Sequence, residues 1–132
     1  MDLIRITRIL SALSIAMGAV AIVAPVMVAD MFGLSFQPGT NIGFGEVGAL
    51  YGGNFIGLGL IGLYATRSNF EEGGLLIAAI GIVWLCIAGG RLLVMLTRMS
   101  DAGGAFGWLS FLIEAAWGAA FVLAARSRTR LV

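Results

Sequence analysis

"GGLLIAAIGIVWLCIAGGRLLVML", residues 73 to 96, is an apolar run interrupted by one charge, Arg91. At ~1.5 Å per residue, a helix over this stretch is about 36 Å long, enough to cross the ~30 Å hydrocarbon core of a bilayer. Three more stretches read the same way. The pattern predicts four spans at Ile9–Ala29, Phe44–Thr66, Gly73–Leu96 and Ala105–Ala125. Between them stand "DMFGLSFQPGTNIG" with Pro38 and Gly39, "RSNFEEGG" and "RMSDAGG", all rich in turn residues. The expected fold is all-α: an integral membrane, antiparallel four-helix transmembrane bundle forming one domain over residues 1–132.

Composition agrees with that expectation. The chain is 60% hydrophobic and 11% charged, with a mean hydropathy of +1.02, outside the range of soluble globular domains. A net charge of +1 gives no reason to expect a nucleic-acid partner. There is no histidine, and Cys86 is the single cysteine. An internal disulfide, the usual Cys/His zinc site, a histidine-ligated haem and a histidine general base are therefore excluded, and no metal or cofactor is expected.

The first span follows Arg5 and Arg8, as a signal peptide's core would, but its apolar run is longer than an h-region. It is read as a retained helix. Arg5, Arg8, Arg67, Arg126, Arg128 and Arg130 then fall on one side of the four spans, and Arg98 alone on the other. By the positive-inside rule, both termini are expected in the cytoplasm. The 30–43 connector has no basic residue and holds Phe32, Phe36 and Gln37, so it is expected to lie against the bilayer surface or a partner.

This orientation assigns depths to the charges. Arg91 comes five residues before the outer end of its span, roughly 7 Å below the boundary. Glu114 is nine residues past Ala105, roughly 13 Å deep. Glu46 enters the second span from the same side. Charges at such depths are costly and turn inward to pair, and the five-donor guanidinium fork of one arginine can serve two carboxylates. The expected centre is Arg91 between Glu46 and Glu114, with Gly89 and Gly90 leaving room for the approach. This triad keeps one formal negative charge, and Arg98, on the Arg91 face, is the nearest further cation.

Helical spacing extends the set. Glu46, Leu50 and Asn54 form an i, i+4, i+8 line, Tyr51 lies three before Asn54, and Ser110, Glu114 and Gly118 share a stripe. Two readings follow: a structural seam of ion pairs and hydrogen bonds, or a small cavity open to the outer face.

The second span is glycine-rich. Gly48/Gly52 and Gly53/Gly57 are small-xxx-small pairs, and Gly45, Gly52 and Gly59 recur every seven residues, which suits close helix packing or a subunit contact. "GLGLIG" at 57–62 matches a dinucleotide-binding pattern only literally, since it follows no strand and opens no helix. Trp108 reads as an interface anchor. Trp84, seven residues before Arg91, and Trp117 read as packing or lipid-facing residues, and Cys86 as a small hydrophobe. Pro25 is expected to kink the first helix, and "RSRTRLV" reads as a solvated basic tail near anionic headgroups.

"ALYGGNFIGLGLIGL", then "AGGRLLVML" followed by "SDAG", then the glutamate of "FLIEAAWG", resembles the bacterial family of small four-helix membrane proteins catalogued as domain of unknown function 4345. The likeness covers about residues 45 to 125. It is most specific at Tyr51, Gly52, Gly53, Gly90, Arg91 and Glu114. Two positions depart from the family pattern: Gly48 stands where a basic residue is common, and Asp101, Ala102 and Gly103 split its Asp-Gly pair. The resemblance implies a multi-pass protein of the bacterial inner membrane whose common centre is this set of residues. It implies no activity.

The leading expectation is a non-enzymatic membrane protein, homo-oligomeric, that binds a lipid-like amphiphile or small anion through Arg91, with Glu46 and Glu114 setting the pocket's charge. Membrane lipids and a second copy are the expected partners. The alternatives are an accessory subunit of a larger membrane complex, and a small proton-coupled transporter or channel using Glu114.

Overall fold

The computed structural model describes residues 3–31, 47–97 and 105–129. Glu46, Arg98 and most of the 30–43 connector, including Phe32, Phe36 and Gln37, lie outside the described residues. The described chain is helical: α1 (Leu3–Val23), α2 (Pro25–Met31), a π-helical segment (Gly48–Gly53) that runs into α3 (Asn54–Ala65), α4 (Phe70–Thr97) and α5 (Ala105–Thr129). Four of these stretches, Leu3–Val23, Gly48–Ala65, Glu71–Thr97 and Gly107–Ser127, are long and apolar enough to cross a membrane. This is consistent with a helical bundle.

Element boundaries follow local chemistry. The first predicted span is two helices broken at Ala24. Ala24 N–H donates to Val20 O (2.8 Å) and Val28 N–H to Ala24 O (3.2 Å), whereas Pro25 has no N–H to give the intervening turn and takes the first position of α2. At the second span, Asn54 N–H donates to Ala49 O, five residues back, and to Tyr51 O. The five-residue step is the π-helical pattern.

Helix α4 begins before the predicted Gly73. Asn69 caps it: its side-chain Oδ1 accepts Glu72 N–H at 2.9 Å, its carbonyl accepts Gly73 N–H at 3.0 Å, and Glu71 and Glu72 occupy the first turn, where the helix dipole favours acids. Helix α5 passes the predicted Ala125 and continues to Thr129, so the tail expected to be solvated begins as helix.

Contacts divide the chain into two compact units, Arg8–Leu63 and Tyr64–Val132 with Met1–Thr7. In the first, α1 meets the π-segment and α3 at glycines. A Cβ at Gly18 would stand 2.6 Å from Gly52 O, one at Gly52 would stand 2.5 Å from Ile22 Cγ1, and one at Gly59 would stand 2.5 Å from both Ser11 O and Ile15 Cγ1. Ser11, Ser14 and Gly18 therefore form the small face of α1 that receives α3. This contact uses Gly52 and Gly59 of the seven-residue glycine repeat, whose Gly45 lies outside the described residues. It does not use the two small-xxx-small pairs as pairs: Gly48 and Gly57 have nothing within 4 Å of a Cβ, and Gly53 has only Gly48 O at 3.9 Å.

The second unit repeats the device. A Cβ at Gly81 would lie 2.9 Å from Gly118 O, and one at Gly118 would lie 2.9 Å from Gly81 O. As residue number rises along α4, its partner's falls along α5.

Most of the apolar surface faces outward. Between 22% and 28% of each candidate span is buried, and Leu50, Leu75, Leu93 and Leu112 are more than half exposed. Three hydroxyls are satisfied within their own helices: Thr7 donates to Leu3 O (3.0 Å), Ser14 to Leu10 O (3.0 Å) and Thr97 to Leu93 O (2.8 Å), whereas Ser11 Oγ is buried without a hydrogen-bond partner. Such a bond saves a polar group from needing an outside partner.

The packing predicts opposite outcomes at two neighbouring glycines. Gly59→Leu is expected to cost about 1–3 kcal/mol through overpacking against Ser11 and Ile15. Gly57→Ala is expected to be neutral or to gain up to ~1 kcal/mol from the lost backbone freedom. Thermal unfolding in detergent measures both, and equal losses would show that Gly59 is not the contact point.

Candidate functional site

The site is built on the facing stripes of α4 and α5. Ile77, Ile80, Trp84, Ala88 and Met95 are buried at steps of three, four, four and seven residues, one face of a helix, and Arg91 completes the line between Ala88 and Met95. On α5 the corresponding stripe is Glu114, Gly118, Phe121 and Ala125. Contact at Gly81 and Gly118 sets the register. One turn on, Trp84 stacks against Trp117 with ring centroids 5.4 Å apart and planes 23° from parallel. Trp117 Nε1 is buried without a hydrogen-bond partner, so its contribution is ring contact.

That register delivers Arg91 to Glu114. Arg91 Nε donates to Glu114 Oε2 at 2.9 Å, and Arg91 Nη2 donates to Oε1 at 2.6 Å. This is a bidentate pair, the fork-to-carboxylate geometry that only arginine offers. The side chains are 25% and 11% exposed, so the pair is largely withdrawn from its surroundings yet open along the arginine edge.

That edge borders a groove of about 340 Å³ on α4, lined by Cys86, Ile87, Gly90, Arg91, Val94 and Met95. Among the described residues, nothing stands within 4 Å of a Cβ at Gly89 or Gly90. These glycines were expected to make room for approaching carboxylates. Glu114 approaches from α5, and Gly90 lines the groove.

The other expected residues divide. Ser110 lies one turn before Glu114 on α5 and is half-buried in the same unit. Tyr51 and Asn54 belong to the other unit, where Tyr51 is half-buried with its ring edge-to-face against Phe55 at 6.2 Å, and Asn54 is exposed. Glu46 and Arg98 lie outside the described residues. Of the expected centre, Arg91 and Glu114 are brought together. Trp84 packs in the core rather than facing lipid, and Cys86 is exposed on the groove. Among the described residues, no group of three His, Cys, Asp or Glu side chains is placed to hold a metal.

Sequence reading missed two features: the tryptophan stack, and the Ser11, Ser14 and Gly18 face of α1. Spacing held a signal for the second, since 11, 14 and 18 follow a helical i, i+3, i+7 line.

No family model, curated protein or solved structure matches the chain.

The pair predicts strong non-additivity. Removing one partner leaves a part-buried charge alone, so Arg91→Ala or Glu114→Ala is expected to cost about 3–5 kcal/mol. Arg91→Met with Glu114→Leu, which removes both charges at similar volume, is expected to cost less than either single change. A double-mutant cycle by thermal unfolding checks this, and additive losses would mean that the two groups are not coupled.

Proposed function

We propose that the chain is a non-enzymatic, multi-pass membrane protein whose Arg91–Glu114 pair forms the polar end of a binding groove for a lipid-like amphiphile. The observation carrying this reading is the groove itself. A bidentate ion pair, open at its arginine edge, borders a space of about 340 Å³ otherwise lined by Ile87, Val94, Met95 and small residues. Ionisable groups inside membrane spans mark sites by default. The outward-facing leucines and four long apolar helices support placement in a membrane. The positive-inside rule favours cytoplasmic termini, with Arg91 in the outer half.

An amphiphile fits better than a small anion. Glu114 already neutralises the guanidinium, so a bare anion would have to compete with a part-buried carboxylate. A headgroup can instead hydrogen-bond at the pair's rim while its tail follows the apolar wall. Homo-oligomer formation is supported by Gly53 and Gly57, which keep small-xxx-small spacing and, among the described residues, meet no neighbouring helix within 4 Å of a Cβ. The resemblance to the bacterial four-helix family agrees with an inner-membrane location.

A second reading is favoured by the completeness of the bidentate pair. In an accessory subunit, the same contact would serve only to hold α4 against α5.

Native mass spectrometry of protein purified in mild detergent separates the two. The binding reading expects a reproducible bound amphiphile that is lost in Gly90→Leu, which fills the groove and leaves the ion pair intact. Retention of that molecule in Gly90→Leu would overturn it. Migration only as part of a larger complex, with no bound molecule, would favour the structural reading.

A further inference from the structure

The side of α3 that does not meet α1 carries an amide. Asn54, Gly57, Ile61 and Tyr64 follow steps of three, four and three residues, one stripe of a helix, and Leu60 lies beside it. Asn54, Leu60, Ile61 and Tyr64 are exposed and Gly57 is half-buried, whereas Leu58, Gly59, Gly62 and Ala65 are buried. Gly59 meets Ser11 and Ile15 of α1. One side of α3 is thus used for packing within its own unit, and the stripe with Asn54 is left open.

Depth makes that amide costly. Asn54 opens α3 and lies roughly 16 Å along the helix from Ala65, at ~1.5 Å per residue, inside the Gly48–Ala65 candidate span. An amide in hydrocarbon without a hydrogen bond is strongly unfavourable. Thr7, Ser14 and Thr97 return their hydroxyls to carbonyls of their own helices. Among the described residues, no hydrogen bond takes up the Asn54 side chain.

Symmetry selects the partner. A carboxamide offers a carbonyl acceptor and two N–H donors, so two asparagines can each donate to the other. Copies of one chain inserted with the same topology hold Asn54 at the same depth, and a two-fold axis along the membrane normal brings equivalent residues together. A helix of another protein would need a polar group at this depth by coincidence. Gly53, exposed one residue before the amide, and Gly57 present no side chain to hold two α3 helices apart.

We propose that two copies of the chain pair through this stripe of α3, with the two Asn54 carboxamides donating hydrogen bonds to one another across the two-fold axis. The inference rests on the reading that α3 crosses a membrane and gives the homo-oligomer its contact. It does not use the groove beside Arg91.

The test is Förster transfer between donor- and acceptor-labelled copies of the full chain in liposomes, over a range of protein-to-lipid ratios. The labels are placed on the N-terminal amine, since the chain has no lysine. A monomer–dimer transition is expected. Asn54→Leu and Gly57→Leu are each expected to weaken it about tenfold, while Asn54→Gln, which keeps the carboxamide, should stay within about threefold of the unaltered chain. All three changes lie away from the α1 contact, so helical content by circular dichroism should not change. Leu75→Ala, at an exposed position of α4, should leave the transition unchanged. Equal strength in Asn54→Leu and the unaltered chain would overturn the proposal, as would an Asn54→Gln chain as weak as Asn54→Leu, or equal weakening by Leu75→Ala. A monomer at every ratio that resists extraction from membranes by alkaline carbonate would overturn this inference alone. Extraction by carbonate would overturn the membrane reading and the inference with it.

Discussion

Backbone contact at glycine is the constraint on which the rest of each unit depends. Gly18 with Gly52, Gly59 with Ser11, and Gly81 with Gly118 bring helices so close that a single methyl group would collide with a carbonyl oxygen. Helices with apolar exteriors gain little from hydrophobic burial when their surroundings are also apolar. Their association is then decided by how well they pack, and the missing Cβ permits the best packing. In the Tyr64–Val132 unit this contact has a direct chemical consequence. Once Gly81 sits on Gly118, Trp84 lies over Trp117, and Arg91 reaches Glu114 with its fork squarely on the carboxylate.

The ion pair is therefore a product of register. Its geometry also decides what the site can offer. Both carboxylate oxygens accept from arginine, so the strong field of an isolated guanidinium is replaced by that of a dipole with one partly open edge. A dipole attracts at short range and favours a neutral or zwitterionic headgroup over a free anion. The groove beside it is mainly apolar, and Gly90 contributes its space by lacking a side chain. A polar pair and an apolar surface are thus set side by side where α4 meets α5.

Much of this was legible in the sequence, and the residues show why some was not. Four long apolar helices follow from run length, a signal too strong for local detail to reverse. Their ends depend on single hydrogen bonds: Asn69 starts α4 early by capping Glu72, a signal present in "NFEE" but outweighed by where the apolar run begins. Arg91 and Glu114 were readable as partners because so few charges fall within the spans and their estimated depths are close. The two-point geometry was not readable, because it depends on the Gly81–Gly118 contact across two helices. Glycines of the second span announced close packing, but which of them face a partner depends on the small face of α1, whose serines look unremarkable alone. The π-helical turn has no comparable sequence rule. It shifts Leu50, Tyr51 and Asn54 from the alignment that regular α-helical spacing gives them.

The irregular turns and the close contacts also have opposite effects within the Arg8–Leu63 unit. At Gly18 and Gly52, the helices are as near as their backbones allow. A few residues away, the break at Ala24 and the π-helical segment interrupt the regular i to i+4 pattern, and the helices cannot close along their whole length. Space is left where contact ends, and small residues such as Ala16 and Ala21 preserve it. A regular pair of helices with this glycine line would zip shut toward Met31. The apolar pocket between Met17, Met31, Tyr51 and Phe55 is therefore the geometric remainder of tight packing combined with two interruptions.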